Sequence, residues 1–381
     1  MSASSSSADR VPVRDDLTQV TPYGAPQLQV PVRLNTNETA EPPPPGFLEA
    51  VAERITGLGL NRYPDREHRA LRDALAARSG RCRTEVWAAN GSNEILLQLL
   101  QAYGGPGRTA LTVRPGYSMY PELARTTLTP LVEVDLDQQL RLTPARAAAA
   151  VAEHDPDLVV LPSPNNPAGT LVSHEAIRAL HAGSRALVVV DEAYIEFAGA
   201  HATVAGLLDE LPRLVVVRTF SKAFRLAGLR LGYLLAAPWV VDDVQRVRLP
   251  YHLDALTQVA GQIALEQEEA FLEHRVRVVA ERDRVAAALR THVGVEVFDS
   301  AANFLLVRTA VPGVFQRLLD HGVLVRDFST RPRLHGCLRV TIGTAAENDT
   351  LLTALAQVLA SPDAADGPDA ADGPEPREDL R

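Results

Sequence analysis

Between residues 109 and 235 the chain repeats one pattern: a short apolar run rich in branched side chains, then an amphipathic helical stretch, then another such run. The runs at 110–113, 158–161, 187–190, 214–217 and 231–235 show little polar alternation, so each needs cover on both faces. Helical patterns near 147–153 and 174–181 lie between them. Strands that alternate with helices and are covered on both sides make a parallel or mostly parallel sheet. In open sheets of this kind ligands bind just beyond the carboxyl ends of the strands. That is where the polar residues of this chain concentrate.

Three of the runs end in chemically distinct groups. The run 158–161 leads into Pro162-Ser163-Pro164-Asn165-Asn166-Pro167, 187–190 into Asp191-Glu192-Ala193-Tyr194, and 214–217 toward Ser221-Lys222. Lys222 is the only lysine in the chain, and every other basic side chain except histidine is arginine. A guanidinium stays protonated, whereas a desolvated amine can form a Schiff base and carry a proton. The lone lysine therefore points to amine chemistry; a surviving solvated lysine is the bland alternative, and its place after a buried strand weighs against that.

Upstream, Trp87-Ala88-Ala89-Asn90-Gly91-Ser92-Asn93-Glu94 runs into the apolar stretch 95–100. Small polar residues at a helix mouth offer free N–H groups and the positive end of the helix dipole, which hold phosphate. A plain helix cap reads the same way. Together with Arg230, these features make a set of amine, carboxylate, phenol, amide and phosphate cup. Pyridoxal 5'-phosphate needs each of them: the amine for its aldehyde, the carboxylate for its ring nitrogen, phenol and amide for its ring oxygen, and N–H groups with a forked cation for its phosphate.

Over residues 32–359 these motifs resemble the fold-type I pyridoxal-phosphate aminotransferases and, more narrowly, the histidinol-phosphate aminotransferases. The stretches that match, in order, include Arg33-Leu34-Asn35-Thr36-Asn37-Glu38, Arg62-Tyr63-Pro64-Asp65, Asn90-Gly91-Ser92-Asn93-Glu94, Ser163-Pro164-Asn165-Asn166-Pro167, Asp191-Glu192-Ala193-Tyr194, Arg248-Leu249-Pro250-Tyr251-His252-Leu253 and Arg339-Val340-Thr341-Ile342-Gly343. The resemblance implies that Lys222 holds the cofactor and moves the proton. It implies that Asp191 pairs with the pyridine nitrogen, and that Tyr194 and Asn166 bind the ring oxygen. Ser92, Asn93, Ser221 and Arg230 are expected on the phosphate, with Tyr63 from the partner subunit of a homodimer, and Tyr117 on the ring face. Arg339 is expected to grip the acidic group of the substrate, with Tyr23, Asn37, Tyr120, Tyr251 and Asn303 lining the substrate pocket. The implied activity is ping-pong transamination between histidinol phosphate and 2-oxoglutarate, in histidine biosynthesis. A related aminotransferase acting on an aromatic or specialised amino acid, or a phosphoamino-acid decarboxylase, remains the alternative.

This chain departs from the family twice. It has Thr39-Ala40-Glu41 where Asn-Pro and an aromatic usually follow the Asn-Glu pair, and Arg225 where a small residue usually stands three positions after the lysine. An added cation at 225 either faces the cofactor and changes which anion the site accepts, or points away from it.

The 381 residues suffice for two packed domains. The expected division is a disordered start over 1–14, an arm over 15–45 that joins the smaller domain, a large cofactor-binding domain over 46–255 and a smaller α+β domain over 256–361. A disordered acidic tail is expected over 362–381. The expected fold is α/β, a mostly parallel seven-stranded sheet flanked by helices. A formal charge of −9 argues against nucleic acid or anionic membrane as the partner. The four successive prolines at 42–45 and the absence of a basic helical pair before the fold exclude a DNA-binding module there. Cys82 and Cys337 make no disulfide framework and no metal-ligand spacing, no run is long enough to span a bilayer, and a cytoplasmic enzyme without metal is expected.

Overall fold

The computed structural model describes residues 11–18, 20, 22, 24, 26–199 and 201–360. The expectations for the serine-rich start and the acidic tail fall mostly on residues 1–10 and 361–381, outside the described residues. A seven-stranded sheet forms the centre. In spatial order its strands are Val86–Ala89, Gly232–Ala236, Leu214–Thr219, Leu187–Asp191, Leu158–Pro162, Ala110–Arg114 and Leu131–Asp135. Gly232–Ala236 runs antiparallel to both of its neighbours, and every other pairing is parallel.

The branched runs explain this sheet. In Leu187–Asp191 and Leu214–Thr219 alternate residues enter different cores: Val188, Val190 and Val216 pack on one face, Val189, Val215 and Val217 on the other. All six are fully buried. Burying one such side chain contributes on the order of 1.5–3 kcal/mol, and both faces are covered, since alternate residues of each strand fall in two separate apolar cores.

The chain also forms a four-stranded antiparallel sheet in the order Arg326–Asp327, Cys337–Thr341, Phe304–Thr309 and Val295–Val297. The N-terminal arm joins this region: Val32–Arg33 pairs in parallel with Val323–Leu324, and Thr341 donates its N–H to the Leu34 carbonyl at 2.9 Å. The arm is thereby laid across the carboxyl edge of the large sheet.

The sequence pattern misses two strands of the large sheet. Val86–Ala89 is only four residues, all buried, and runs straight into the helix mouth. Leu131–Asp135 is half-exposed along its length because it is the edge strand beside Ala110–Arg114. The apolar run Val323-Leu324-Val325 and its continuation make two short strands in different sheets, Val323–Leu324 and Arg326–Asp327, with the chain changing sheets at Val325. The helical stretch that follows residue 267 is divided into Glu268–Leu272 and His274–Leu289. At the division the Phe271 carbonyl accepts from the Arg225 guanidinium at 3.1 Å and contacts His274 Nδ1 at 2.8 Å.

One glycine sets how closely the large sheet meets the helix Ser92–Tyr103. A Cβ on Gly232 would stand 2.5 Å from the Ser92 nitrogen and 2.6 Å from the Gly91 carbonyl carbon, both backbone atoms that cannot swing aside. Gly232→Ala is expected to lower the unfolding free energy by about 1–3 kcal/mol, the usual cost of overpacking; urea unfolding of the purified variant checks this, and an unchanged midpoint would contradict the close approach.

Candidate active site

The carboxyl ends of the three central parallel strands are in register, with Pro162 beside Asp191 and Asp191 beside Val217. Beyond them opens a cavity of about 350 Å³, within the size range of small-molecule sites. It is lined by Lys222, Asp191, Tyr194 and Asn166 from the strand ends, and by Ser92, Asn93, Tyr117, Ser221 and Arg230 at the phosphate-like end. Asn37 from the arm and Arg339 from the small sheet close it.

Lys222 donates from Nζ to the Thr36 carbonyl at 3.0 Å and lies 5.7 Å over the Tyr194 ring. Burial pushes its amine down to about 8, with Arg339 adding to the effect and Glu38 opposing it. A larger share of the amine is then neutral at physiological pH, the form that acts as nucleophile and base. Its carbonyl accepts from Thr39 Oγ1 at 2.9 Å, which ties the lysine loop to the arm.

Asp191 is 4% exposed. Burial pushes its carboxyl up to about 6, while the Tyr120 hydroxyl and the Ala193 amide pull it down. Tyr120 Oη donates to Oδ2 at 3.1 Å, and Oδ1 has no hydrogen-bond partner among the described residues. A buried acceptor without a donor is costly. Because Asp191 also lines the cavity, the missing donor fits the protonated ring nitrogen of pyridoxal phosphate.

Tyr194 Oη accepts from Asn37 Nδ2 at 3.0 Å and from Asn166 Nδ2 at 3.4 Å. Two amide donors on one phenol oxygen turn its own O–H away from them, an arrangement that suits an anionic acceptor such as the ring oxygen of pyridoxal phosphate. Asn166 Oδ1 in turn accepts from Arg339 Nη1 at 2.5 Å, and Arg339 Nη2 donates to the Asn35 carbonyl at 2.6 Å. The ring end and the substrate end of the cavity are therefore mechanically joined.

At the other end, the helix Ser92–Tyr103 has Gly91 as its N-cap, at φ 82°, with no capping side chain. The first-turn N–H groups are not consumed by a cap, which favours an anion site over a plain helix cap. A Cβ on Gly91 would lie 2.7 Å from Arg230 Nη2, so only glycine lets that guanidinium sit against the helix mouth. Arg230 Nη1 donates to Ser221 Oγ at 3.2 Å and to the Ala227 carbonyl at 3.0 Å. Tyr117 Oη donates to Asn93 Oδ1 at 3.4 Å.

Three described residues expected on the substrate, Tyr120, Asn303 and Tyr251, do not line this cavity, and neither does Tyr63, which is expected on the partner's. Tyr120 is a correction: it is buried at 3% exposure behind Asp191 and bonds to that carboxylate instead of facing substrate. Asn303 is buried with Nδ2 on the Asn37 carbonyl at 3.3 Å, so it supports the arm from behind. Tyr63 and Tyr251 stack on each other with centroids 4.3 Å apart on the outer surface, 78% and 38% exposed. Tyr23 lies outside the described residues. Reasoning from sequence missed Arg326, which lines the cavity and is the cross-strand partner of Arg339. The only available signal was a basic residue ending the apolar run Val323-Leu324-Val325.

The two departures from the family pattern meet each other. Arg225 points away from the cavity; its Nη1 donates to Glu41 Oε2 at 3.3 Å and to the Pro42 carbonyl at 3.1 Å, and Nη2 donates to the Ala270 carbonyl at 2.8 Å. Arg277 holds the same Glu41 at 2.9 Å. One guanidinium thus fastens the lysine loop to the arm and to the helix Glu268–Leu272.

This sheet, with its lysine loop, buried carboxylate and unspent helix mouth, is the fold and site of a fold-type I pyridoxal-phosphate-dependent transferase. Comparisons with known proteins agree. Residues 30–355 match the family "Aminotransferase class I and II". The histidinol-phosphate aminotransferase of Thermobifida fusca is 49% identical over 362 residues, covering 91% of this chain and 96% of that one. That of Mycolicibacterium vanbaalenii is 47% identical over 370 residues, with 93% and 98% covered. The crystal structure of the Sinorhizobium meliloti histidinol-phosphate aminotransferase in complex with pyridoxal-5'-phosphate superposes with a TM-score of 0.84 at 27% identity, covering 93% of this chain and all of that one. The chain belongs to the class I and II aminotransferases.

Because Arg225 faces away from the cofactor, Arg225→Ala is expected to destabilise the fold by about 1–3 kcal/mol through the carbonyls and carboxylate it strands, with the visible spectrum of the cofactor-loaded enzyme unchanged. Unfolding and absorbance measured on the same preparation check this. A shifted spectrum at full stability would place the cation at the cofactor.

Proposed function

We propose that this enzyme is a histidinol-phosphate aminotransferase, exchanging an amino group between histidinol phosphate and 2-oxoglutarate with pyridoxal phosphate as cofactor. The observation that carries the reading is the pairing of Arg326 with Arg339 across neighbouring strands, both on the cavity that holds Lys222. Four cationic side chains, Lys222, Arg230, Arg326 and Arg339, face two carboxylates there, Glu38 and Asp191. That balance suits two anionic groups at once. The Arg230 end takes the cofactor phosphate, and the Arg326 and Arg339 end takes a substrate phosphate in one half of the cycle and a dicarboxylate in the other.

Pyridoxal phosphate, when bound, supplies an aldehyde that takes up the amino group and a protonated ring that draws electron density from the substrate carbon. The protein does the rest. Ser92, Asn93, Ser221 and Arg230 bind the phosphate, Tyr117 covers the ring, and Tyr194 with Asn166 holds the ring oxygen. Asp191 keeps the ring nitrogen protonated. Lys222, with its amine lowered toward neutrality, removes the proton from the substrate Cα and returns it on the other side of the exchange. Asn37 orients Tyr194 from the arm, so substrate gripped by Arg339 and the phenol at the ring are set by one hydrogen-bonded chain.

The surface patch around the stacked Tyr63 and Tyr251, with exposed Leu60 and Leu249 beside it, supports a homodimer in which Tyr63 reaches the cavity of the partner subunit. The division into units over 46–255 and 256–361, with the arm 15–45 joined to the second, is part of the same reading, as is the cytoplasm as its compartment. Among the described residues no helix is long and apolar enough to cross a membrane.

A single half-reaction tests the substrate. Cofactor-loaded enzyme mixed with histidinol phosphate is expected to lose its aldehyde absorbance and gain that of pyridoxamine phosphate, and glutamate does the same from the other side. Conversion by glutamate alone would refute histidinol phosphate as the donor, and release of carbon dioxide without pyridoxamine would refute transamination. Arg326→Gln is expected to raise the KM for histidinol phosphate about 10–100-fold, the worth of a hydrogen bond between charged groups, with a smaller change in kcat. An unchanged KM removes Arg326 from the substrate site.

A further inference from the structure

We propose that Tyr120 is a positioning residue that divides the two oxygens of Asp191, holding Oδ2 so that Oδ1 is presented to the cofactor ring. The proposal rests on the pyridoxal-phosphate reading and not on the identity of the substrate.

Tyr120 is the second residue of the helix Met119–Thr126 and comes from a part of the chain remote from Asp191. Its hydroxyl meets Oδ2 at 3.1 Å, while Oδ1 of the same buried carboxylate carries no hydrogen bond among the described residues. A carboxylate at the end of a strand can rotate about its Cβ bond. With one oxygen anchored and the other buried without a partner, on a residue that lines the cavity, the group is set in one orientation before any ligand arrives. The anchor is itself held: the Tyr120 ring packs edge-on against Tyr117 with centroids 5.4 Å apart. Tyr117 lines the cavity, so one aromatic pair supports both the ring face and the ring nitrogen's partner.

The hydroxyl has a second effect. It donates to the charged form of Asp191 and so opposes the burial that favours the protonated form. The other groups facing the pair are Glu192 beside Asp191, Lys222 from the loop, and the phenols Tyr117 and Tyr194. Of these Glu192 is engaged by Arg218 at 2.9 Å; beside the Ala193 amide two positions along the chain, Tyr120 is the donor that a distant element brings to Asp191.

Tyr120→Phe removes one oxygen and keeps the ring. Three readouts on the purified protein are expected to change together: the dissociation constant of pyridoxal phosphate from the reconstituted enzyme rises about tenfold, kcat falls about tenfold with KM nearly constant, and the acid limb of the kcat profile moves to higher pH. The sign follows from the lost donor, since a carboxylate with one hydrogen bond fewer takes up a proton more readily. In an Asp191→Asn background the same change is expected to add little further loss of affinity. Equal losses in both backgrounds would mean mere packing and would overturn the proposal, as would an unshifted acid limb. Tyr120→fluorotyrosine, which preserves the shape and strengthens the donor, is expected to move the acid limb to lower pH, and the opposite or no movement would again overturn it. The affinity readout needs no substrate: if parent enzyme binds cofactor but ignores histidinol phosphate, the substrate reading fails and the Tyr120 test still stands.

Discussion

A buried carboxylate with one unmet acceptor governs this active site. Asp191 ends a strand of five buried residues and is itself 4% exposed. Its charged form is favoured by the phenol of Tyr120 from the helix Met119–Thr126, by the Ala193 amide and by the Lys222 charge, and in the proposed function also by the protonated ring of the cofactor. The sheet delivers this group because its three central strands are in register at their carboxyl ends. A shift of one residue in Leu187–Asp191 would turn the carboxylate from the cavity to the opposite face of the sheet. The apolar packing on both faces of that strand is therefore also what aims the chemistry.

The second dependence runs through the arm. Thr36 accepts from the Lys222 amine, Asn37 from the same segment orients Tyr194, and Thr39 holds the Lys222 carbonyl. Just beyond, Glu41 is clamped by Arg225 and Arg277. A stretch with almost no regular structure of its own thus fixes the nucleophile, the phenol and, through Asn35, Arg339. Its order derives from pairing with Val323–Leu324 and from these side-chain bonds, so the two halves of the cavity cannot be set independently.

Much of this was legible in the sequence, and the reasons are physical. Apolar branched runs ending in Asp191, Asn166 and the Ser221-Lys222 pair reveal a parallel sheet and its functional edge, because burial on both faces suppresses polar alternation. Gly91 before Ser92 reveals the helix mouth. What stayed hidden depends on contacts between distant segments. Tyr120 reads as a pocket residue because nothing local shows that its hydroxyl turns to Asp191. Arg326 escapes notice because it sits on a two-residue strand, and its pairing with Arg339 comes from sheet register. Arg225 and Glu41 each look like an isolated departure, and only the fold brings the two charges together across 184 positions of chain.

The central claim is that the lone lysine binds the cofactor in this cavity, and its most direct measurement is chemical. Holoenzyme reduced with borohydride, digested and mapped by mass spectrometry is expected to carry a single phosphopyridoxyl group on the peptide containing Lys222. Absence of a label there, or a label at the N-terminal amine instead, would contradict the account.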